Sequence, residues 1–460
     1  MSKKSVVIWD GNVRDAALSI LLAVDKNQAY SNLLLNETIK RHKIEAKDRA
    51  LLTEITYGSL QHKMTLDYYL EPFIRGKVDH WVRWLLRISL YQMHYLTRIP
   101  SHAAVNEAVE IAKRRGHRGI ASMVNGILRS VLRKGVRATS DIADPVERLA
   151  IETSHPQWLV QRFIDNYGID VAAAMLHENN VPPVQTVRVN LTKATVERAI
   201  AELEAEGLTA KQSDVMPECL HITNGQPART KAFKEGMITI QDESSMIPAN
   251  VLNPASGMRV LDMCAAPGGK TTHLAEIMKN KGSILATDLH PHKLDLIDHN
   301  TERLGLDIIE TAPIDGRKAP EFLQAASFDA VLVDAPCSGL GVMRRKPDIK
   351  YTKREEDLAS LQTIQLALLD AATKMLKTNG KLIYSTCTVD KQENEGTVKA
   401  FLATHPEMEA IQLESLPIKL AEKQADGMLQ VFPQDFGSDG FFVAAFRKKE
   451  NPINDGSREI

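Results

Sequence analysis

Of 460 residues only four are cysteine, Cys219, Cys264, Cys337 and Cys387, and no two stand closer than 45 positions. With no C-x-x-C pair, the spacing excludes the ligand sets of zinc ribbons and fingers, and so few thiols in a long chain make no disulfide framework. No metal is expected. Aromatic residues make up 5% of the chain, and Trp81 and Trp84 fall in a helical pattern where they read as core rather than as stacking platforms. No apolar run approaches the roughly 18 residues of a membrane span. The early run Val6-Val7-Ile8-Trp9 stops at Asp10 and is too short for a signal sequence, so a cytoplasmic protein is expected. Net charge is nearly absent, −1 from 57 basic and 58 acidic side chains, which as a whole argues against a polyanionic partner.

That balance conceals a split. Residues 1–140 hold 23 Lys and Arg against 12 Asp and Glu, a net of +11, and the remaining 320 hold 34 against 46, a net of −12. One third of the chain is therefore suited to phosphate capture. Its pattern is helical: Val13, Ala16, Ala17, Ile20, Leu21 and Val24 repeat on one face, as do Val82, Leu86, Leu90, Met93 and Leu96. Breaks are expected at Gly58, at Gly76 and at Pro100-Ser101, with Ser101 as a cap. An all-helical bundle of five or more helices results. Its cations cluster at Lys113-Arg114-Arg115-Gly116-His117-Arg118 and at Arg129, Arg133, Lys134 and Arg137. Some suit helix C-termini, but the excess reads as a nucleic-acid footprint.

Residues 138–160 read as a linker, followed by a helix ending at Asn166-Tyr167-Gly168. Residues 186–191 and 237–240 have strand texture around an amphipathic helix over 195–206 stopped by Gly207, a small mixed α+β unit. Cys219 lies in a loop-like stretch of it and reads as a packed thiol. From Gly257 onward strands at 259–263, 283–287, 328–333 and 381–385 alternate with helices, including a long one over 354–376. This is the signature of a parallel sheet with crossover helices, a Rossmann-like domain. The expected boundaries are 5–138, 139–250 and 251–447, with 448–460 a flexible tail.

Ligands of such sheets bind at the carboxyl ends of the strands. The first strand runs into Cys264-Ala265-Ala266-Pro267-Gly268-Gly269-Lys270, a turn of small residues opening a helix. A P-loop needs glycine where Cys264 stands, and the G-x-G-x-x-G spacing of a dinucleotide site is absent. A nucleoside cofactor without a pyrophosphate remains, and S-adenosylmethionine fits best. Asp288 at the end of the second strand is placed for ribose hydroxyls, and Asp315 after the third for adenine.

The fourth strand ends in Asp334-Ala335-Pro336-Cys337-Ser338-Gly339 and the fifth in Ser385-Thr386-Cys387-Thr388. Two of four cysteines thus fall on adjacent strand ends beside a methyl donor. Carbon 5 of cytosine is a poor nucleophile, so a thiolate must first add to carbon 6. An acid near N3 must stabilise the charge that develops, and the carbon 5 proton must leave afterwards. One thiolate, Asp334 and a second thiol would supply these groups. Spacing alone leaves open which cysteine attacks.

These motifs, together with Gln241-Asp242-Glu243-Ser244-Ser245 and Asp439-Gly440-Phe441-Phe442, resemble the RNA cytosine-C5 methyltransferases. The basic helical segment resembles the antitermination factor NusB. The combination, over residues 10–447, resembles the Sun-type (RsmB) methyltransferases of small-subunit 16S rRNA. The resemblance implies that Cys264 to Lys270, Asp288, Asp315 and Asp334 line the cofactor and base pocket. It makes Cys387 the nucleophile and gives Cys337 the release of methylated product. It adds Lys270 to the catalytic set and matches Arg344-Arg345-Lys346-Pro347-Asp348 to the family's segment after the first cysteine motif. The expected partner is 16S rRNA, with no membrane and with the chain acting as a monomer. The alternatives are the same chemistry on tRNA and a catalytically silent RNA-binding or assembly protein.

Overall fold

A computed structural model of the chain describes Trp9, residues 11–27 and residues 31–450. The Val6–Ile8 run, Asp10 and positions 451–460 of the expected tail lie outside the described residues. The chain forms two compact units, one of residues up to Val181 together with Met343–Lys353, the other of Pro182–Val342 and the residues from Arg354 on.

The first unit is helical throughout. Helices Val13–Asn27, Ala46–Gln61, His80–Tyr95, Ser101–Arg115 and Arg118–Lys134 enclose its core. The face that spacing predicts on the first helix is fully buried, from Val13 to Val24, as are Val82, Leu86 and Leu90. Trp84 is completely buried and donates its indole N–H to Asp25 at 2.7 Å, satisfying the one polar atom its burial would strand.

Three local expectations fail here for identifiable reasons. Gly58 does not break its helix, which runs on to Gln61; the glycine leaves room for the ring of Tyr91, which any Cβ would strike. Ser101 does not cap. Pro100 holds the N-cap position and Ser101 is the first helical residue. The presumed linker holds a helix, Pro145–Thr153, capped by Asp144, whose carboxylate accepts from Glu147 N at 2.7 Å, whereas the helix expected to end at Asn166-Tyr167-Gly168 is present as Gln157–Tyr167.

Residues Met343–Lys353 belong to this unit although they follow the first cysteine motif in sequence. Ser31 Oγ donates to Asp348 Oδ1 at 2.6 Å, and the fully buried Lys350 donates to Asn180 Oδ1 at 2.6 Å and to the carbonyl of Gln61. Burial pushes the Lys350 ammonium well below its ordinary range. Arg344, almost fully buried, pairs with Glu178 at 3.2 Å, so its charge is spent inside the protein.

The second unit carries two sheets. Strands β1 (Gln185–Val189), β2 (Ala210–Gln212), β3 (Cys219–Ile222) and β4 (Ile238–Ile240) form an antiparallel sheet in the order β2-β3-β1-β4. Cys219 therefore opens a strand rather than lying in a loop, and it is fully buried. Helix Val196–Ala205 covers the sheet, capped by Thr195.

The larger sheet contains β5 (Arg259–Asp262), β6 (Ser283–Thr287), β7 (Ile309–Ala312), β8 (Phe328–Asp334), β9 (Leu376–Thr386), β10 (Met408–Ala410), β11 (Met428–Val431) and β12 (Phe441–Lys448). Its order is β10-β12-β9-β8-β5-β6-β7, with β11 on β12; the run from β9 to β7 is parallel, and β12 is antiparallel to β9. Strand order reverses between β5 and β8, and in open sheets that switch point opens a crevice at the carboxyl ends. Among the described residues no helix is long and apolar enough to cross a membrane.

Candidate active site

The carboxyl ends of β5, β6, β8 and β9 surround a cleft of about 420 Å³ lined by Cys264, Ala266, Asp288, Asp315, Asp334, Cys337 and Cys387. A smaller cavity of about 170 Å³ shares Cys264, Ala266 and Asp334 with it and adds Asp262, Ala265, Pro267, Gly269 and Lys270. The residues singled out by sequence thus converge on one place.

The turn after β5 sets the cofactor side. Gly268 holds φ at +96°, where an L side chain is strained, and a Cβ there would press on Ile297 at 3.2 Å. The next residue begins helix Gly269–Ile277, whose first backbone N–H groups have no partner within the helix, and Gly269 and Lys270 line the smaller cavity. Asp288 at the end of β6 accepts from His290 N at 3.0 Å. Asp315 is engaged by Arg317, whose Nε and Nη2 donate at 2.9 and 2.6 Å and hold the carboxyl below its usual range. Beneath the turn, Asp262 is fully buried. Thr271 donates to its Oδ2 at 2.7 Å, its Oδ1 has no hydrogen-bond partner among the described residues, and burial pushes the carboxyl up to about 7.

The base side is built across two paired strands. Asp334 and Ser385 are register partners in β8 and β9. Ser385 Oγ donates to Asp334 Oδ1 at 2.8 Å, and Lys270 Nζ reaches Oδ2 at 2.8 Å while lying 5.0 Å above the Phe441 ring. Burial opposes the Lys270 charge, but Asp334 and the neighbouring Cys387 outweigh it and hold the ammonium above its ordinary value. Cys337 Sγ and Cys387 Sγ stand 3.3 Å apart. The hydrogen bond to Cys387, then burial, pushes the Cys337 thiol well up, so Cys337 keeps its proton.

The loops carrying these sulfurs are held from below by Glu393. This buried carboxylate accepts from Ser338 N at 2.9 Å, from Gln365 Nε2 at 3.0 Å and from Ser338 Oγ. Ser338 Oγ also meets Thr388 Oγ1 at 2.8 Å, and Gly341 N donates to the carbonyl of Cys387 at 3.0 Å. Sequence reasoning gives no role to Glu393, Asp262, Ser385 or Phe441. The last three lie inside or beside recognised motifs, whereas Glu393, in the short π-helix Gln392–Gly396, carries no signal beyond following Cys387 by six residues.

Cys219 lies apart from this site. Its sulfur, His221 and Glu243 bring donor atoms within 4.8 Å of one another. His221 Nε2 is bonded to Glu243 Oε2 at 2.7 Å and Met216 N to Oε1 at 3.2 Å, so these polar groups satisfy one another.

Comparison with known proteins decides the family. Residues 249–447 match the 16S rRNA methyltransferase RsmB/F profile, 11–133 the NusB family, and 155–229 the ferredoxin-like domain of RsmF/B-like methyltransferases. A probable ribosomal RNA small subunit methyltransferase B of Bacillus subtilis is 50% identical over 95% of this chain and 99% of its own. The chain belongs to the RsmB/F family of methyltransferases. The ribosomal RNA small subunit methyltransferase B of Proteus mirabilis is 33% identical over 94% of this chain and 98% of its own. Among solved structures, NSun6 of Pyrococcus horikoshii, determined with SFG, an S-adenosylmethionine analogue, covers 64% of this chain and 99% of its own at a TM-score of 0.58 and 25% identity. The NusB-like bundle, the small α+β unit and the Rossmann-like domain expected from sequence are all present. The chain is an S-adenosylmethionine-dependent rRNA methyltransferase.

Proposed function

We propose that this enzyme methylates carbon 5 of a cytosine in 16S rRNA, with Cys387 as the nucleophile and Cys337 as the group that frees the product. The observation that carries the reading is the sulfur pair at 3.3 Å beside the Lys270–Asp334 pair. A methyltransferase acting on an exocyclic amine needs no thiol, and this site holds two.

S-adenosylmethionine supplies an electrophilic methyl group when bound. The cleft fits it: Asp288 stands where ribose hydroxyls can be held, the turn at Cys264–Gly268 lets backbone come close, and Asp262 presents a buried carboxylate oxygen with no hydrogen-bond partner among the described residues. Because the target base must leave any stacked helix to enter, the base is swung out toward β8 and β9.

As its thiolate, Cys387 Sγ bonds to carbon 6, and the carbon 5–carbon 6 electrons become available to attack the methyl group. Thiolate addition puts negative charge on N3, and it is neutralised by a proton that the Lys270 ammonium gives up through Asp334, the carboxylate that Ser385 and Lys270 fix in place. The carbon 5 proton passes to a solvent water molecule, its electrons re-form the carbon 5–carbon 6 double bond, and the Cys387 thiolate is expelled. Cys337, still protonated, is the group within reach of that departing sulfur.

Bisulfite sequencing of rRNA from a deletion strain is expected to lose one 5-methylcytosine in 16S rRNA. Loss confined to tRNA would overturn the substrate, and no loss would support a silent assembly protein. With purified enzyme, Cys387→Ala abolishes turnover and the covalent RNA complex, whereas Cys337→Ala lets that complex accumulate. The reverse pattern would exchange the two roles.

A further inference from the structure

Between helix Arg118–Lys134 and the turn at residues 71–79, the helical unit carries a cleft of about 380 Å³, the size range of small-ligand sites. Phe73, Ile74, Val78, Met123 and Ile127 make its floor, and Arg75 and Lys134 stand at its rim. We propose that this cleft receives one unstacked nucleotide of the RNA substrate, its base against the apolar floor and its flanking phosphates on the two cations. The inference rests on the reading of this chain as an enzyme acting on 16S rRNA.

Two observations support RNA as the occupant. The first is which cations are free. Half of the basic side chains of this unit that stand out in sequence are already paired: Lys113 with Glu110, Arg114 and Arg115 with Asp15, Arg137 with Glu71. Arg75 and Lys134, with Lys77 and Arg133 beside them, are exposed and have no hydrogen-bond or ion-pair partner among the described residues. The nearby Glu71 carboxylate is taken by Arg137. Arg98 and Arg118 are exposed and unpaired among the described residues as well, but Arg75, Lys77, Arg133 and Lys134 stand beside an apolar cleft, the combination that holds unpaired nucleotides: cations for the backbone and an apolar surface for the base.

The second is Gly126. It sits inside an unbroken helix with an ordinary φ, where glycine is destabilising relative to alanine, and a Cβ built on it meets nothing within 4 Å. Neither backbone geometry nor crowding calls for glycine at this position. Its effect is to keep the wall of the cleft low. Ser130, one turn on, is also small and turns its hydroxyl back to the carbonyl of Gly126.

The test is equilibrium binding of a 16S rRNA fragment to the full-length protein across a salt series, with methylation of the same fragment read in parallel. Gly126→Leu fills the cleft without altering charge and is expected to weaken binding about tenfold with an unchanged salt slope. Gly126→Ala is expected to bind like wild type. Arg75→Ala with Lys134→Ala is expected to flatten the slope of log K against log salt by about 0.7 to 0.9 per cation removed. Ser130→Leu repeats the steric test should Gly126→Leu not fold. If a folded filling variant binds and methylates like wild type, RNA does not enter this cleft and the proposal falls, leaving a protein ligand or none. If the wild-type enzyme neither binds nor methylates 16S rRNA, the proposed substrate falls instead, whatever the variants do.

Discussion

Gly341 is a stringent test of whether backbone placement of Cys387 controls the chemistry. Three backbone segments meet at this residue: Gly341 N donates to the carbonyl of Cys387 at 3.0 Å, and Gly440 N donates to the carbonyl of Gly341 at 2.9 Å. A Cβ on Gly341 would lie 2.8 Å from the Cys387 carbonyl oxygen and 2.7 Å from the carbonyl carbon of Gly440, with the Gly440 oxygen closer still. All of these are main-chain atoms, so no side chain can rotate away and the segments must part by on the order of 1 Å. A displacement of that size at a reacting group costs roughly 100-fold in rate. Weakening two backbone hydrogen bonds adds a stability loss of about 1–3 kcal/mol. Gly341→Ala is therefore expected to lower kcat about 100-fold while the protein still folds and binds RNA. Single-turnover transfer of labelled methyl to a 16S rRNA fragment measures it, with the melting temperature and RNA affinity as controls. A folded variant with kcat within about threefold of wild type, under about 1 kcal/mol of barrier, would refute the idea that this junction sets the position of the Cys387 sulfur.

Two further substitutions probe the buried acids. In the folded chain the Asp262 carboxyl titrates at about 7, against about 3.9 when unfolded. Between those values the folded state holds the extra proton, so this group's stabilisation is complete below about pH 4 and is lost as pH rises through 7. Asp262→Asn is expected to shrink the fall in melting temperature between about pH 5 and about pH 8, and an unchanged fall in differential scanning calorimetry would count against the burial argument. Glu393→Ala removes the acceptor of Ser338 N and Gln365 Nε2, leaving buried donors unsatisfied, and is expected to cost about 1–3 kcal/mol and to slow product release. Normal stability in urea, or an unaltered lifetime of the covalent RNA complex, would mean that Glu393 does not hold the Cys337 loop.

The parts of the fold that follow from local pattern were legible. Helical spacing on Val13–Val24 and the apolar runs of β5, β6 and β8 each place a continuous buried face, and period and length suffice to identify them. The parts that depend on distant partners were not. Gly58 looks like a helix break until Tyr91, on another helix, is seen to need the space. The segment Arg344–Asp348 reads as part of the catalytic domain, and only the contacts of Asp348 and Lys350 assign it to the helical unit. In the site, residues whose chemistry depends on type at a strand end, Asp334, Cys337 and Cys387, stood out from the sequence. Glu393 did not, because a buried acid is made by its surroundings, here Ser338 and Gln365, and neither is near it in sequence.

Charge shows the same division between what counting reveals and what pairing decides. The net of +11 over residues 1–140 suggests a broadly basic surface, but Asp15 and Glu71 absorb several of its arginines and Arg87 is buried against Asp67 at 2.6 Å. Phosphate capture then falls to fewer positions than composition implies, which is why local geometry around Arg75 and Lys134 carries more weight than the total. The acidic half is divided likewise. Asp315 is neutralised by Arg317 and Asp334 by Lys270, while the carboxyl of Asp262 holds its proton up to about 7. A cleft with four uncompensated carboxylates would repel the RNA it must admit; with Asp288 also 3.8 Å from Lys293, all four are balanced by cation or by proton, which keeps the entrance passable to a polyanion.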